Sequence, residues 1–142
     1  KAMKTYENNP PSAAIRLRQL IDEQLNHVRP LAEKNNSEVL NEIDGKILLQ
    51  GVNSKMTDLL YQVLYAVISN SKYGDIHIRS ERYKDHVDLC ITDRSNYNGY
   101  SLSFSIGSIV PDASRLGADL LLMNYRQKEA TVVFSIPGSF AA

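Results

Sequence analysis

Apolar residues recur with helical spacing in two long stretches of the chain. The first stretch runs from Ala13 to Lys34, and Pro30 is expected to kink or shorten its last turn. The second is clearer and begins after Asn53 or Ser54, either of which can cap a helix. Its apolar face comprises Met56, Leu59, Leu60, Val63, Leu64, Val67 and Ile68. The pattern therefore predicts two long helices, the second of which ends at a Gly-Asp pair.

Alternating apolar and polar residues predict strands in three further parts of the chain. The predicted hairpins join residues 37–43 to 46–50 through Asp44–Gly45, 76–78 to 87–91, and 119–125 to 131–136. An Asp-Gly pair is a strong signal for the tight turn of a hairpin. For residues 120–123 an extension of a preceding helix is the alternative, because the run is too short for its period to decide.

The stretch between the second and third hairpins has a weaker pattern. Asn96–Gly107 is rich in Ser, Tyr, Asn and Gly, and its apolar residues alternate only weakly. A short helix is expected to begin at Pro111–Asp112 and to end at Gly117. Together these elements predict an α+β fold, a two-layer α/β sandwich whose mixed, mostly antiparallel sheet is covered on one face by about three helices.

The composition fits one globular domain over residues 13–142, preceded by a polar linker or arm over residues 1–12. Sixteen basic residues balance sixteen acidic ones, and no basic stripe suggests binding to nucleic acid or to a membrane surface. The single cysteine, Cys90, predicts a buried structural thiol and a cytoplasmic location. The chain begins at Lys1 without an initiator Met or a signal peptide, so it is expected to be a piece of a longer protein.

Several phrases, in this order, resemble a known family. They are Arg29-Pro30-Leu31-Ala32-Glu33-Lys34, then Gln62-Val63-Leu64 leading to Ser69-Asn70, and finally Thr131-Val132-Val133-Phe134-Ser135-Ile136-Pro137. Together with the order of the predicted elements, they resemble the catalytic ATP-binding domain of sensor histidine kinases, which has the Bergerat (GHKL) ATPase fold. The resemblance covers roughly residues 13 to 138.

The resemblance implies a nucleotide site made by five residues of this chain. In the family, two asparagines one turn apart on the long helix face Mg²⁺ and the phosphates. Asn70 matches the second of these, which makes it the candidate metal ligand. Lys72 and Tyr73 match a Lys-Tyr pair near the phosphates and the adenine, and Asp93 matches the carboxylate that accepts a hydrogen bond from the adenine amino group. Gly107 is the remnant of a glycine-rich turn that holds phosphates.

The chain also departs from the family's pattern at several of these positions. Ala66 stands where the first asparagine belongs, and a methyl group cannot bind a metal. Ser95 and Tyr97 replace two glycines that let the backbone pass close to the base. Gly107 lies fourteen positions after Asp93, roughly half the length expected for the family's lid. These departures predict a degenerate member whose ATP binding is impaired or lost.

Each of these residues also has a purely local interpretation. Asn70 can cap the C-terminus of the helix, Asp93 can accept hydrogen bonds from nearby backbone amides, and Lys72 can be a solvated cation at a helix end. The chain is also rich in tyrosine, with eight residues. Several of them fall near the predicted site or on the less apolar side of the long helix, where they could supply contact area for a protein partner or simply pack at the surface.

The leading hypothesis is a histidine-kinase-like domain of a two-component signalling protein that acts through protein contacts and needs no cofactor. Its expected partners are a response-regulator-like or other signalling protein, and dimerisation and phosphoacceptor helices that lie outside this chain. The alternative is a working kinase domain that binds ATP with Mg²⁺ and transfers the γ-phosphoryl group to a His on those helices. A third reading is a regulatory domain that binds another small ligand in the same cleft.

Overall fold

The computed structural model describes residues 14–140, so the predicted linker over residues 1–12 lies outside the described part of the chain. The elements are β1 (Ile15–Arg16), α1 (Leu17–Lys34), β2 (Glu38–Asn41), β3 (Leu48–Leu49), α2 (Ser54–Ser69), β4 (Asp75–Arg82), β5 (His86–Asp93), α3 (Gly99–Arg115), β6 (Asp119–Met123) and β7 (Ala130–Pro137), followed by a 3-10 turn (Gly138–Phe140). Three helices and a mixed sheet form the α+β sandwich that the sequence predicts.

The main sheet has five strands in the order β2-β4-β5-β7-β6. β2 runs parallel to β4, and the other neighbouring strands are antiparallel. The register aligns Ile78 with Ile91, Ile91 with Val132, and Val132 with Leu122. Because side chains alternate between the two faces of a strand, this register gathers the apolar residues on one face of the sheet.

All three helices cover that apolar face. Alternate residues of β7 are buried, while those between them are partly exposed. Helix α2 contacts both α1 and α3. It begins where predicted, because the Asn53 side chain accepts a hydrogen bond from the Met56 backbone N–H at 3.1 Å. The seven predicted apolar positions of α2 are all buried, and Ala66 is buried with them.

Of the two effects expected of Pro30, a kink or a shortened last turn, the shortening does not occur. Helix α1 begins at Leu17, later than Ala13, and continues past Pro30 to Lys34. Its buried side chains are Leu17, Leu20, Ile21, Leu25, Val28 and Ala32. The last turn therefore keeps contact with the core beyond the proline, through Ala32, and tertiary packing outweighs the one hydrogen bond that a proline removes.

The first predicted hairpin does not form. Its two segments belong to different sheets, because β2 pairs in parallel with β4 whereas β3 pairs with β1. The Asp44–Gly45 turn itself is present, and the Asp44 side chain accepts a hydrogen bond from the Lys46 N–H at 2.9 Å. Because β2 pairs with β4 in the main sheet, with Val39 beside Ile76, it does not pair with β3. A tight turn therefore fixes the direction of the chain but not the partner of the strand.

The largest difference from the sequence prediction is helix α3. The chain was expected to be irregular until a short helix at Pro111, but one helix spans Gly99–Arg115 and includes both Gly107 and Pro111. Its deeply buried residues, Leu102, Ile106, Ile109 and Ala113, recur at helical spacing. Many Ser, Gly and Tyr residues between them hide this period. The other two hairpins form as β4–β5 and β6–β7, so the helical alternative for residues 120–123 is wrong.

Cys90 does not occupy the buried position that the sequence predicted. It lies on the less covered face of the sheet, opposite Val133, and is partly exposed. Burial raises the pKa of its thiol, and the nearby carboxylates of Glu81 and Asp88 raise it further. A raised pKa favours the protonated thiol over the more reactive thiolate. Within residues 14–140, no helix is both long and apolar enough to cross a membrane.

Candidate functional site

Four of the five predicted site residues come together at one junction. Asn70 and Lys72 follow the C-terminus of α2, Tyr73 precedes β4, and Asp93 ends β5. Gly107 lies elsewhere, in the middle of α3. The expectation that Gly107 belongs to a turn is therefore wrong, because α3 continues without interruption through that position.

A buried chain of hydrogen bonds crosses the floor of this α2–β4 junction. The Gly74 N–H donates to Ser37 Oγ at 3.0 Å, and the two hydroxyls of Ser37 and Ser71 lie 2.7 Å apart. The Ser71 hydroxyl in turn donates to the Ile68 carbonyl at 2.7 Å. A Cβ atom on Gly74 would lie 3.0 Å from both Ser37 Oγ and Ser71 Cβ, so the backbone approaches closely here. Serines are frequent in the sequence, and nothing there singled out Ser37 and Ser71.

Asp93 is buried, with 3% of its surface exposed, and holds the backbone of two neighbouring segments. Its Oδ1 atom accepts hydrogen bonds from the Asp75 N–H at 3.1 Å and from the Ser95 N–H at 2.9 Å. The carboxylate thus ties the start of β4 to the loop that follows β5. This arrangement matches the local interpretation of Asp93 as an acceptor for backbone amides.

Asn70 caps the C-terminus of α2 and reaches across to α3. Its side-chain Nδ2 donates to the Ala66 carbonyl at 2.7 Å and to Ser105 Oγ at 3.2 Å. The Ala66 side chain, one turn earlier, is buried. Helix α3 therefore lies directly against the end of α2 that carries Asn70. Ser105 is a contact that the sequence did not reveal, because its segment was expected to be a loop.

Lys72 and Tyr73 differ in their surroundings. The Lys72 Nζ atom lies 5.9 Å from the centre of the Tyr97 ring, in the range of a cation–π contact. Tyr73 is 66% exposed and has a left-handed backbone, with φ of 52°. Its N–H donates to the Asn35 carbonyl at 2.9 Å. Asn35 is another member of this junction that the sequence did not single out.

A small cavity opens at the junction, with a volume of about 210 Å³. It is lined by Lys34, Asn35, Asn36, Ser69, Asn70, Ser71, Lys72, Tyr97 and Asn98. Asp93, Tyr73 and Gly107 are not among the residues that line it. Two lysines and several amide and hydroxyl groups make the wall polar and basic.

The start of α3 is fixed on the turn between β6 and β7. The Asn96 side chain donates to the carbonyls of Tyr125 and Gln127, both at 2.8 Å. A Cβ atom on Gly99 would overlap the Tyr125 carbonyl, so only glycine fits where α3 begins. These contacts set the helix close to the junction only six residues after Asp93. Among the described residues, no group of three or more His, Cys, Asp or Glu side chains is placed to hold a metal ion.

Comparison with protein-family models gives no match, and comparison with curated proteins gives none either. Solved structures do resemble the chain. The catalytic domain of the histidine kinase ThkA, in a nucleotide-free form, is 18% identical and superposes with a TM-score of 0.66, covering 89% of this chain and 95% of ThkA's domain. The cytoplasmic segment of the histidine kinase QseC is 15% identical, with a TM-score of 0.63, covering 94% of this chain and 82% of that segment.

Two further structures contain a ligand or a partner. Full-length ShkA in complex with AMPPNP is 11% identical, with a TM-score of 0.68, and the match covers 99% of this chain but 33% of ShkA. ThkA in complex with the response regulator protein TrrA is 19% identical, with a TM-score of 0.61, covering 89% of this chain and 42% of that chain. The chain therefore has the fold of the catalytic ATP-binding domain of sensor histidine kinases.

Proposed function

We propose that this chain is a histidine-kinase-like domain of a two-component signalling protein whose ATP binding is impaired or lost, and that it acts through contacts with other proteins. The observation that carries the proposal is the position of helix α3. It begins six residues after Asp93 and lies against the end of α2, where the resemblance places a flexible lid over the nucleotide.

The metal-binding side of the expected site supports this proposal. The resemblance requires two asparagine side chains one turn apart, but Ala66 is a buried methyl group. The remaining Asn70 amide already donates to Ala66 and to Ser105. Mg²⁺ would have to bind through the Asn70 Oδ1 atom, and the methyl group of Ala66 supplies no second amide oxygen to share the ion.

The adenine side of the expected site supports it as well. Asp93 is buried and its Oδ1 atom already accepts two backbone hydrogen bonds. The cavity beside Lys72 has a volume of about 210 Å³. Small-molecule sites usually enclose about 300 to 1,000 Å³. The cavity beside Lys72 is therefore too small to hold a nucleoside triphosphate by itself.

Protein partners follow from the same fold. ThkA, a histidine kinase, forms a complex with the response regulator protein TrrA. For this chain we propose a response-regulator-like or other signalling protein as partner, together with dimerisation and phosphoacceptor helices that lie outside the chain. The similarity to the cytoplasmic segment of QseC favours a cytoplasmic location. The balance of acidic and basic residues argues against nucleic acid as a partner.

A second candidate is a working nucleotide-binding domain, and one observation favours it. Lys34 and Lys72 line the same small cavity as Asn70, so phosphate oxygens entering there would meet two cations and an amide. ShkA, which has a similar fold, binds AMPPNP. In this candidate ATP with Mg²⁺ is the cofactor, and Asn70, Lys72, Tyr73 and Asp93 contact it after the junction opens.

Calorimetric titration of the chain with a non-hydrolysable ATP analogue, with and without Mg²⁺, separates the two candidates. Lost binding predicts no saturable heat at millimolar ligand, which corresponds to less than about 4 kcal/mol of binding free energy. A dissociation constant of about 100 μM or below, or roughly −5.5 kcal/mol, would instead support the second candidate.

Two lysine variants test whether any nucleotide binding takes place in the cavity beside Lys72. Lys72→Ala removes an exposed cation beside the cavity, whereas Lys84→Ala removes an exposed cation on the turn between β4 and β5. Binding that depends on Mg²⁺, falls with Lys72→Ala and persists with Lys84→Ala would overturn the proposal of a lost site. Equal heats for both variants at millimolar ligand would mean only non-specific attraction.

A further inference from the structure

The surface at the end of the sheet where β5 leads into α3 combines aromatic rings with positive charge. Two segments form it, the loop between β5 and α3 with the first turn of α3, and the turn between β6 and β7. We call this surface the aromatic–basic patch, and its members are Arg94, Tyr97, Tyr100, Tyr125, Arg126 and Lys128. Tyr97 is 63% exposed, Tyr100 is 70% exposed, and the three cations are exposed as well. Large rings and cations are therefore presented to the solvent side by side.

Hydrogen bonds hold the two segments of the patch together. The Asn96 backbone N–H donates to the Lys128 carbonyl at 2.8 Å. The Asn96 side chain donates to the carbonyls of Tyr125 and Gln127, both at 2.8 Å. Gly99 lies so close to the Tyr125 carbonyl that an added Cβ atom would overlap it. The backbone beneath the patch is thus fixed before a partner arrives, which lowers the entropy lost on binding.

The side chains of the patch are also positioned by contacts with one another. The rings of Tyr100 and Tyr125 meet edge to face, with their centres 5.7 Å apart. The guanidinium carbon of Arg126 lies 5.6 Å from the centre of the Tyr125 ring, in the range of a cation–π contact. Tyrosine and arginine are enriched at the hot spots of protein interfaces. The patch therefore offers both residue types in arrangements that the chain itself restricts.

Positive charge exceeds negative charge at this end of the surface. The three cations of the patch are joined by Lys72, whose Nζ atom lies 5.9 Å from the centre of the Tyr97 ring. Beside them, Glu129 is exposed and forms no ion pair in the described part of the chain. Asp75 is partly exposed, and its carboxylate lies 2.8 Å from His77 Nε2. Four cations against two carboxylates at the surface leave a local excess of positive charge, in a chain whose formal net charge is zero.

We propose that the aromatic–basic patch binds a protein partner through an acidic segment that also carries apolar side chains. Carboxylates of the partner pair with Arg94, Arg126 and Lys128, and its apolar side chains lie on the rings of Tyr97 and Tyr100. Charge complementarity of this kind steers association and fixes the orientation of the partner. The exposed rings add the apolar contact area that ion pairs alone do not supply. This inference rests on the proposed function, because it names the chemistry of the partner through which the chain acts.

The distribution of charge favours protein over nucleic acid as the partner. A phosphate backbone is usually bound along a basic stripe that follows the strand. Here Glu129 and Asp75 border the cations, so the positive charge is confined to a small area. An acidic protein segment needs only such a confined area, with a few ion pairs around a contact between apolar groups.

Fluorescence anisotropy of a labelled acidic peptide tests the proposal. The probe is a fluorescein-labelled peptide of repeated Glu-Glu-Leu units, titrated with the 142-residue chain at low ionic strength, where surface charges are least screened. Changing Arg126→Glu and Lys128→Glu together should weaken binding at least about tenfold, because two attractive contacts become repulsive. The matched control changes Lys46→Glu and Lys84→Glu together, since both are exposed lysines outside the patch and the net charge changes equally. The control should weaken binding by less than about threefold.

A ring variant separates the aromatic contribution from the charge. Tyr100→Ala should weaken binding of the peptide about fivefold, yet leave its dependence on salt unchanged, because no charge is removed. Tyr83→Ala is the control, since Tyr83 is 46% exposed on the turn between β4 and β5. The unfolding temperature of each variant shows whether its fold is intact.

Three results would overturn the inference. They are no binding of the peptide by the wild-type chain, equal losses for the two double variants, and tighter binding of a labelled single-stranded oligonucleotide than of the peptide. None of them decides whether ATP binds, which the calorimetric titration measures separately. Absent peptide binding together with absent nucleotide heat would therefore refute the patch alone, whereas saturable binding of the ATP analogue would refute the proposed function.

Discussion

Two surfaces flank helix α2. On one of them buried polar groups are paired within the chain, and on the other large apolar side chains are exposed. At the α2–β4 junction, buried donors and acceptors find partners inside the chain, as the hydrogen bonds of Ser37, Ser71 and Asp93 illustrate. On the outward surface of helices α2 and α3, which we call the α2–α3 face, the side chains of Tyr65 and Phe104 are by contrast exposed.

This contrast indicates what each surface can bind. A nucleotide needs unpaired donors and acceptors and an empty volume, and the junction offers little of either beyond the small cavity between Lys34 and Lys72. A protein partner needs apolar area, which the α2–α3 face supplies through Tyr65 and Phe104. The proposed function rests on this difference, because the hydrogen bonds of the junction are made within the chain, whereas the α2–α3 face exposes apolar side chains.

Among the substitutions that test this contrast, Asp93→Ala is expected to cause the largest change in the free energy of unfolding. The change leaves the N–H groups of Asp75 and Ser95 without their acceptor in a buried region. Each unpaired buried group costs about 1 to 3 kcal/mol, so we expect a loss of about 3 kcal/mol in the free energy of unfolding, measured with urea. Asp93→Asn keeps one acceptor oxygen and should cost about 1 kcal/mol. Unchanged stability in Asp93→Ala would show that the carboxylate is free to serve a ligand.

A smaller loss is expected from Gly74→Ala. The new methyl group would lie 3.0 Å from Ser37 Oγ and from Ser71 Cβ, and 3.3 Å from Asp93 Oδ2. Crowding of this kind typically costs about 1 to 3 kcal/mol, and we expect about 2 kcal/mol by urea unfolding. Gly45→Ala is the control, because nothing lies within 4 Å of its added Cβ. Equal stabilities for the two variants would mean that the junction is looser than its contacts imply.

The same substitution on the α2–α3 face should have the opposite sign. Gly107→Ala adds a methyl group in open space within a helix, so it should stabilise the chain by about 1 kcal/mol. Urea unfolding would measure this gain. The pair Gly74→Ala and Gly107→Ala therefore tests the comparison directly, because one chemical change is made on each surface. A destabilising Gly107→Ala would indicate an internal role for this glycine.

The smallest effect is expected from Tyr73→Gly. Tyr73 has a φ of 52°, a left-handed conformation that costs a side-chain-bearing residue about 1 kcal/mol or more. Glycine removes this cost but gains freedom in the unfolded chain, which leaves a net stabilisation of about 0.5 kcal/mol. Asn36→Gly is a suitable control, because asparagine tolerates its φ of 54° better than tyrosine does. Thermal unfolding would measure the difference in stability between the two variants. A destabilised Tyr73→Gly would show that contacts of the tyrosine ring stabilise the fold.

Elements with strong local patterns could be predicted from the sequence. Helix α2 has seven apolar residues on one face and a capping asparagine, and both features act within the helix itself. The β4–β5 and β6–β7 hairpins join neighbours in sequence, so alternation and turn residues suffice to predict them. The fold class follows from these elements, because a helix and a sheet with one apolar face each must cover one another.

The failed predictions concern contacts between distant parts of the chain. β2 carries the same alternation as a hairpin strand, but its partner is β4, which lies beyond α2 in the sequence. Helix α3 is rich in residues that are poor helix formers, and it is stabilised by burying Leu102 and Ile106. Gly107 was expected in a turn because the family has a glycine-rich turn at the matching position, and in this chain α3 continues on either side of it.

By itself, the sequence determined the fold class, the long helix α2 and the residues Asn70, Lys72, Tyr73 and Asp93 that meet at its end. The fold class and α2 depend on local periodicity and on the order of the elements, which a linear chain already contains. The four residues were identified by the resemblance to the histidine kinase family. Only the tertiary structure decided that Asp93 accepts backbone hydrogen bonds, that α3 lies against Asn70, and that Phe104 is exposed. Such features depend on which distant surfaces are buried together, and no local pattern encodes that.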